Sequence, residues 1–513
     1  MIPATPPLIA GLLGLLPGAS LIETHISWVL LAGEFAYKLK KPVNLGFLDF
    51  STLEKRRFCC QEEIRLNSRL APDIYLEVLP ITGSVAHPRL GGEGPPQEWA
   101  VKMRAFPKNA TLDLKPIITA QQIDAIADRI AAFHQAIDPA PNHSHHGTPE
   151  QVRAPIAQNF VQIREQRPPQ DMLVLLADLE AWAMAEGARL DSHFAARKAQ
   201  GFIREGHGDL HLGNIAWVDD APLIFDGIEF NPDLRFIDVI NEMAFLTMDL
   251  HHRGMSGLAW RVLNRYLEHT GDYAGLAALP YYMVYHALVR AKVAAIRARQ
   301  SSGDFRECGD YLRLSARLVK TGSPALILMH GVSGSGKTVL SQQLLEGQGA
   351  IRLRSDVERK RLFGLTPLQD SQGIPGGIYT REAGQHTRDR LLMLARQLLG
   401  EGFTVIVDAT FLARDWRQPF QALAEALQVP WLLVSPKVPD EVLRQRVSQR
   451  KAHGRDASEA DLAVLEAQLA SQDPLEPAEL QHTVTPTPDW DTATRLARTH
   501  ALIPSLQMPP PTP

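Results

Sequence analysis

Eight consecutive residues, Gly331-Val332-Ser333-Gly334-Ser335-Gly336-Lys337-Thr338, carry the spacing glycine, four residues, glycine-lysine-threonine. Glycines at these places let backbone N–H groups turn inward onto an anion, and a helix starting at Lys337 adds its positive dipole end. Lys337 is then the cation for the β- and γ-phosphates of a nucleotide, and the Thr338 hydroxyl is a ligand for its Mg²⁺. Such a loop needs an apolar strand before it and a helix after it. Residues 325–329 and 337–346 have those two patterns.

Two carboxylates follow in the right places. Asp408 ends an apolar strand at 404–407, where a second carboxylate orients Mg²⁺ or its waters. Asp356 ends the strand at 350–354, and at a strand's C-terminal end it suits a general base for an acceptor hydroxyl. Capping the next helix is a second role open to it. Arg359, one turn on, suits the acceptor or its phosphate. Arg446 and Arg450 lie four apart on a helix from 440, as lid arginines closing over a transferring phosphoryl group would. A solvated basic face explains the same spacing, and Arg388, Arg390, Arg414 and Arg417 carry the same ambiguity.

A second set lies upstream. His207-Gly208-Asp209-Leu210-His211-Leu212-Gly213-Asn214 has His-x-Asp and then Asn five residues after the Asp, and Asp226 follows the strand at 222–225. Phosphoryl transfer uses such parts together: Asp209 to accept the hydroxyl proton, Asn214 and Asp226 as Mg²⁺ ligands. Phe35-Ala36-Tyr37-Lys38 places a phosphate-binding lysine on a strand, although Lys40 shares its face. Glu62 and Glu63 lie on the next helix, and Glu63 is the preferred ion-pair partner. A surface lysine and a solvated glutamate are the plainer alternative. His143, His145 and His146 sit in a Pro/Asn/Ser/Gly loop without a carboxylate or cysteine at ligand spacing, and read as solvated loop.

The elements that must position these residues fall into two blocks. Residues 20–110 read as strands, with a hairpin of 21–31 and 34–40 about Ala32-Gly33, one helix at 51–70, and strands at 74–81 and 98–106. Residues 119–320 read as helices, interrupted by strands at 202–225. After a boundary at 320–324, strands at 325–329, 350–354, 404–407 and 431–434 alternate with helices, which argues a parallel sheet. In 513 residues the net charge is −4, so no global basic field recruits nucleic acid or membrane. Three cysteines, two adjacent, make no disulfide framework and suit a reducing compartment. The apolar run 8–16 has no preceding Lys or Arg and is too short to span a bilayer; it reads as a short packed helix, and the chain as cytoplasmic.

Residues 324 to about 500 resemble the phosphate-loop kinase superfamily that includes polynucleotide 5′-hydroxyl kinases, zeta toxins and gluconate-kinase-like enzymes. Asp356-Val357-Glu358-Arg359 is similar to its Asp-x-x-Arg acceptor site, and Val407-Asp408-Ala409-Thr410 to its strand after the substrate-binding helices. The likeness implies that Asp356 takes the hydroxyl proton and that Arg446 is the lid arginine. Residues 20–310 resemble the aminoglycoside phosphotransferase family, itself similar to protein kinases. That implies Asp209 as base, Asn214 and Asp226 as metal ligands, and Asp238 as a structural carboxylate. One departure stands out: no glycine-rich loop precedes Lys38, only Glu23-Thr24-His25-Ile26-Ser27-Trp28, where Thr24 and Ser27 are the available donors. Together the halves resemble an uncharacterised bacterial family of fused phosphotransferase-like and phosphate-loop proteins.

The expected architecture is an α+β bilobal kinase-like domain (1–320), an α/β P-loop domain with a parallel sheet (321–505) and a disordered Pro-rich tail (506–513). The expected activity is a bifunctional phosphotransferase using ATP and Mg²⁺ on a hydroxyl acceptor, small molecule or nucleic acid, with neither membrane nor obligate protein partner. The alternative is a P-loop NTPase or RNA 5′-end kinase carrying a degenerate kinase-like binding module.

Overall fold

Short β-branched and aromatic runs separated by tight turns build the first sheet. Strands β1 (Ser20–Glu23), β2 (Ser27–Ala32), β3 (Phe35–Lys40), β4 (Tyr75–Gly83), β5 (Pro88–Leu90) and β6 (Glu98–Arg104) form a six-stranded sheet in the order β1-β2-β3-β6-β4-β5, antiparallel throughout. The structure, a computed structural model, describes residues 5–46, 48–300, 303–320, 322–453 and 457–486, with backbone alone at 450–453. The expected tail at 506–513 lies outside the described residues.

One strand was expected over 21–31, and there are two. Thr24 Oγ1 accepts the N–H groups of Ile26 and Ser27. That side-chain turn reverses the chain, and Ser20–Glu23 pairs back onto Trp28–Leu31. The stretch without glycines is therefore a hairpin tip. The short apolar helix Pro7–Leu15 lays Ile9 and Leu12 onto Leu30, Leu39, Ile81 and Ala100. Helix Leu53–Asn67 starts at Thr52, whose side chain accepts the Lys55 N–H, and it buries Cys59, Cys60, Glu63 and Leu66. The hairpin β8 (Ile215–Val218) and β9 (Ala221–Ile224), and the pair β7 (Ile203–Glu205) and β10 (Phe236–Asp238), carry the loops of the first candidate site.

The chain divides into two compact units, residues 1–167 with 183–249, and residues 168–182 with 250–513. In the second, β11 (Leu326–Met329), β12 (Ala350–Arg354), β13 (Thr404–Asp408), β14 (Trp431–Val434) and β15 (Thr483–Val484) form a parallel five-stranded sheet ordered β12-β13-β11-β14-β15. The apolar runs of β11, β13 and β14 fit strands covered on both faces. Edge strand β12 is shielded by helix Ser256–Thr270. Asn264 Nδ2 donates to Ala350 O at 2.9 Å and its Oδ1 accepts the Arg352 N–H at 2.7 Å, so one carboxamide occupies the open edge. The expected fold class is the one observed: an α+β kinase-like domain followed by an α/β P-loop domain with a parallel sheet. Among the described residues, no helix is long and apolar enough to cross a membrane.

Candidate active sites

Lys38 and Lys40 stand two apart on β3 and therefore on one face, above helix Leu53–Asn67. Glu63 meets both: Lys38 Nζ at 2.8 Å and Lys40 Nζ at 2.5 Å. The third partner separates the lysines. Lys38 also bonds Asp226, whereas Lys40 bonds Glu229 and is sealed at 1% exposure. Glu62 points elsewhere, to Arg65 and Arg235. Burial alone would pull Lys38 down, yet Asp226, Glu63 and Glu229 hold it well above the usual lysine value. Burial likewise works against the Glu63 carboxylate, and the two lysines still hold it below the ordinary range. Burial pushes Glu229 up, with Lys40 opposing it.

Asp226 has φ 62°, a left-handed conformation unusual for a side chain with a Cβ. Its N–H donates to the Tyr75 hydroxyl at 3.0 Å, and the Gly227 N–H donates to Asn67 Oδ1 at 2.7 Å. These bonds hold a conformation that costs about 1–3 kcal/mol and aim the carboxylate at Lys38. The His207–Asn214 loop is fastened to the same segment: His207 Nε2 lies 2.8 Å from Phe225 O, and the Phe225 N–H donates to Asn214 O. Gly208, at φ 83°, admits no Cβ, which would lie 2.6 Å from Leu234 O. Its N–H donates to the buried Glu242 at 2.6 Å. Asn214 Nδ2 donates to both Asp209 O and Asp209 Oδ2 at 2.9 Å, which fixes the amide and leaves its oxygen as the acceptor end. Asp238 is buried against Arg197. The structure thus joins Asp209 to Asn214, and Asp226 to Lys38 and Glu63, through one hydrogen-bonded loop pair. The oxygen donors of Asn214 and Asp226 fit a hard divalent cation.

In the second unit β11 delivers the phosphate loop. Gly331, Gly334 and Gly336 all have positive φ, at 136°, 83° and 88°. A Cβ on Gly334 would lie 3.0 Å from Leu443 O. Lys337 Nζ donates to Val332 O at 2.8 Å, and Ser335 Oγ donates to the same carbonyl at 2.8 Å. The Ser333 N–H donates to Gln468 Oε1 at 2.8 Å. Asp408 ends β13 beside Ser341, its Oδ2 3.2 Å from Ser341 Oγ, while the Ser341 hydroxyl lies 3.0 Å from Thr338 O. A hydroxyl at Thr338 and a carboxylate at Asp408 again suit a hard cation.

Asp356 is in the first turn of helix Ser355–Leu362 and makes no capping bond, so the strand-end and capping expectations both give way to a helical position. Its Oδ1 accepts from Arg359 Nη1 at 3.1 Å, and the Arg359 guanidinium lies 4.9 Å from the Tyr379 ring centre. Burial, then Asp356 and Glu459, push the Tyr379 hydroxyl up to about 12. Glu358, on another side of the helix, is sealed at 0% exposure and holds Arg361 and Arg390. Arg446 Nη1 donates to Gly334 O at 3.3 Å, which brings it to the phosphate loop; the Arg450 side chain lies outside the described residues. The other arginines are engaged by protein acceptors: Arg417 is buried on Glu479, Arg414 pairs with Glu476, Arg390 with Glu358, and Arg388 donates to Asp415 O.

Sequence reasoning missed Tyr75, Glu229, Glu268, Tyr379 and Gln468. Glu268 accepts Arg352 Nη2 at 2.6 Å and Arg354 Nη1 at 3.4 Å, and Arg354 Nε lies 3.9 Å from Asp408 Oδ2. Burial works to raise the Glu268 pKa, and the two arginines hold it below the usual range. Only Glu229, three residues past Asp226, carried a local signal.

These constellations define a chain that joins a kinase-like fold to a P-loop fold. The model of a family described as an AAA domain matches residues 326–475. "Uncharacterized protein Rv2004c" of Mycobacterium tuberculosis is 30% identical over 456 residues, covering 88% of this chain and 90% of that protein; "Uncharacterized protein Mb2027c" of Mycobacterium bovis matches with the same figures. The chain belongs to the family of these mycobacterial proteins. Among solved structures, a choline/ethanolamine kinase family protein from Mesorhizobium loti is 11% identical, over 59% of this chain and 89% of that one, with a TM-score of 0.38. A gluconokinase from Sinorhizobium meliloti 1021 is 20% identical, over 36% of this chain and 93% of that one, with a TM-score of 0.25.

Proposed function

We propose that the chain is a cytoplasmic, bifunctional ATP-dependent phosphotransferase, each site moving the γ-phosphoryl of ATP to a hydroxyl of its own acceptor. The observation that carries this reading is the linked group Lys38–Glu63–Asp226 in the same chain as a complete phosphate loop. A lysine held between two carboxylates beside a hydrogen-bonded Asp226 supports an intact nucleotide site over a degenerate one.

At the first site Asp209 accepts the hydroxyl proton, Lys38 meets the nucleotide phosphates, and Asn214 and Asp226 hold Mg²⁺. At the second, Lys337 and the loop N–H groups hold the phosphates, Thr338 and Asp408 hold Mg²⁺, Asp356 is the base, Arg359 holds the acceptor and Arg446 closes on the phosphoryl group. Bound Mg²⁺ neutralises charge on the phosphate oxygens. The RNA-end alternative is weakened because Arg417 and Arg390 are held by the sealed carboxylates of Glu479 and Glu358, whereas Arg388 and Arg414 make exposed contacts only. Calorimetry with a non-hydrolysable Mg·ATP analogue tests the reading on the full chain. Two sites are expected in the wild type, one in Lys337→Ala and one in Lys38→Met. A single site in the wild type that Lys337→Ala removes would return the first unit to a non-catalytic role. Phosphoryl-acceptor screens with Asp209→Asn and Lys337→Ala then assign each activity.

A further inference from the structure

We infer a transition-metal site, of the kind that takes Zn²⁺, at His145, His146 and Asp233. The loop that reads as solvated in the sequence finds in the fold the carboxylate it lacked. One ligand atom from each residue lies within 4.8 Å of the other two. His145 Nε2 is 2.7 Å and His146 Nδ1 is 3.0 Å from the same Asp233 oxygen, Oδ1. Zinc bonds of about 2.0–2.2 Å place neighbouring ligand atoms roughly 3.3 Å apart in a tetrahedron, so a shift of about half an ångström admits the ion.

Hydrogen bonding accounts for only part of this convergence. His145 and Asp233 make a good hydrogen bond, whereas the buried His146 Nδ1 reaches the same carboxylate oxygen at 3.0 Å without a well-aligned hydrogen bond. Two ring nitrogens directed at one carboxylate oxygen, one of them poorly aligned for a hydrogen bond, is an arrangement that a cation completes. Both sides are held in advance. Lys198 Nζ donates to Ser144 O at 2.6 Å and also to His146 O, fastening the loop to helix Asp191–Ala199. The His146 ring stacks on Phe236, with centres 4.6 Å apart and planes within 8°. On the other side the Asp233 N–H donates to Asn231 Oδ1 at 2.9 Å in the turn Pro232–Leu234.

The chemistry selects the ion. Imidazole nitrogens favour Zn²⁺ and its neighbours over Mg²⁺, so this site does not compete for the cation of phosphoryl transfer. His145 and Asp233 are exposed, so water fills the remaining positions and the ion exchanges. The nearby Lys198 ammonium opposes a dication and limits affinity. The ion would tie the 143–147 loop to the turn that follows the Asp226 segment.

The test uses full-length protein stripped with a chelator and desalted. Equilibrium dialysis against Zn²⁺ is expected to give a site that His145→Ala and Asp233→Asn each weaken by at least roughly tenfold, a loss that even outer partners of a metal site can cause. Added Zn²⁺ should raise the melting temperature of the wild type and leave that of His145→Ala unmoved. Co²⁺ should give visible bands of a four- or five-coordinate nitrogen–oxygen site, absent in the same variants. His145 is exposed, so its replacement leaves the Phe236 stack intact. Wild type without Zn²⁺ binding, or binding and Co²⁺ bands unchanged in both variants, would overturn the assignment.

Discussion

Glu268→Gln tests how the second site is held. Glu268, Arg352 and Arg354 have side chains 4%, 7% and 14% exposed, and one carboxylate serves both guanidiniums. The amide keeps the shape and one acceptor oxygen but removes the charge. Breaking a buried pair on one side costs about 3–5 kcal/mol, because the partner stays buried without its counter-charge. A unit of this size shifts by roughly 2–4 °C per kcal/mol, so the transition should fall by roughly 6–20 °C. The sign with pH follows from the depressed pKa of Glu268. Its stabilisation is full above the unfolded value near 4.5 and is lost as pH falls through the folded value, so the two proteins should converge in acid.

A second consequence reaches Asp408. Arg354 already lies 3.9 Å from Asp408, and losing the Glu268 charge frees it to lean further toward that carboxylate. A guanidinium settling there competes with Mg²⁺, so the Mg²⁺ needed for half-saturation of nucleotide binding should rise several-fold. Melting curves at neutral and acidic pH, and Mg²⁺ titrations at fixed nucleotide, measure both effects. A melting temperature within about 2 °C of wild type at neutral pH would refute the reasoning, since a one-sided loss in a sealed pair cannot be that small.

Other consequences can be measured separately. Asp356→Asn should lower transfer at the second site by roughly 10²–10⁴-fold once its acceptor is known, with nucleotide affinity unchanged; near wild-type transfer would place the base elsewhere. Gly334→Ala, at φ 83° with its Cβ 3.0 Å from Leu443 O, should abolish nucleotide binding at the P-loop, which calorimetry would show as one site lost. Arg65 and Arg235 overcome burial to hold Glu205 down to about 2, so its contribution is present above pH 4.5 and is lost as pH falls toward 2. Glu205→Gln should therefore lower the melting temperature at pH 7 and leave it little changed at the acid end.

How much was legible follows the range of the interactions. The phosphate loop is eight residues in a row whose N–H groups act on one anion, so its chemistry is written locally. The first site was legible only in part. Two lysines at i and i+2 share a strand face whatever the fold, and only the third dimension gives Asp226 to Lys38 and Glu229 to Lys40. The hairpin tip at Thr24 went unread because its reversal comes from a side-chain acceptor rather than from glycine or proline. Asn264 and Glu268 sit among ordinary helical polar residues. Nothing within a turn of them signals that one covers the edge of β12 and the other neutralises two of its arginines.

In both sites the lysine proposed to meet phosphate is already held by the protein, and the kind of holder predicts how each site depends on metal. Lys337 donates to the uncharged carbonyl of Val332, a bond from a charged donor worth about 1.5–3 kcal/mol net, and meets no carboxylate in that bond. Lys38 is held by two carboxylates, Asp226 and Glu63, so both partners of each bond carry charge. A nucleotide arriving there without metal brings its phosphates toward Asp226 and must also take Lys38 away from that carboxylate. With Mg²⁺ the exchange would balance: Asp226 would hold the ion, Lys38 would meet the phosphates, and Glu63 would keep the lysine in place. Metal-free ATP should therefore bind measurably at the P-loop and not at the first site, whereas Mg·ATP binds both. Calorimetry in chelator on Lys337→Ala and Lys38→Met isolates each site in turn. Binding of metal-free ATP to Lys337→Ala, with an affinity matching Mg·ATP, would show that Asp226 does not gate Lys38.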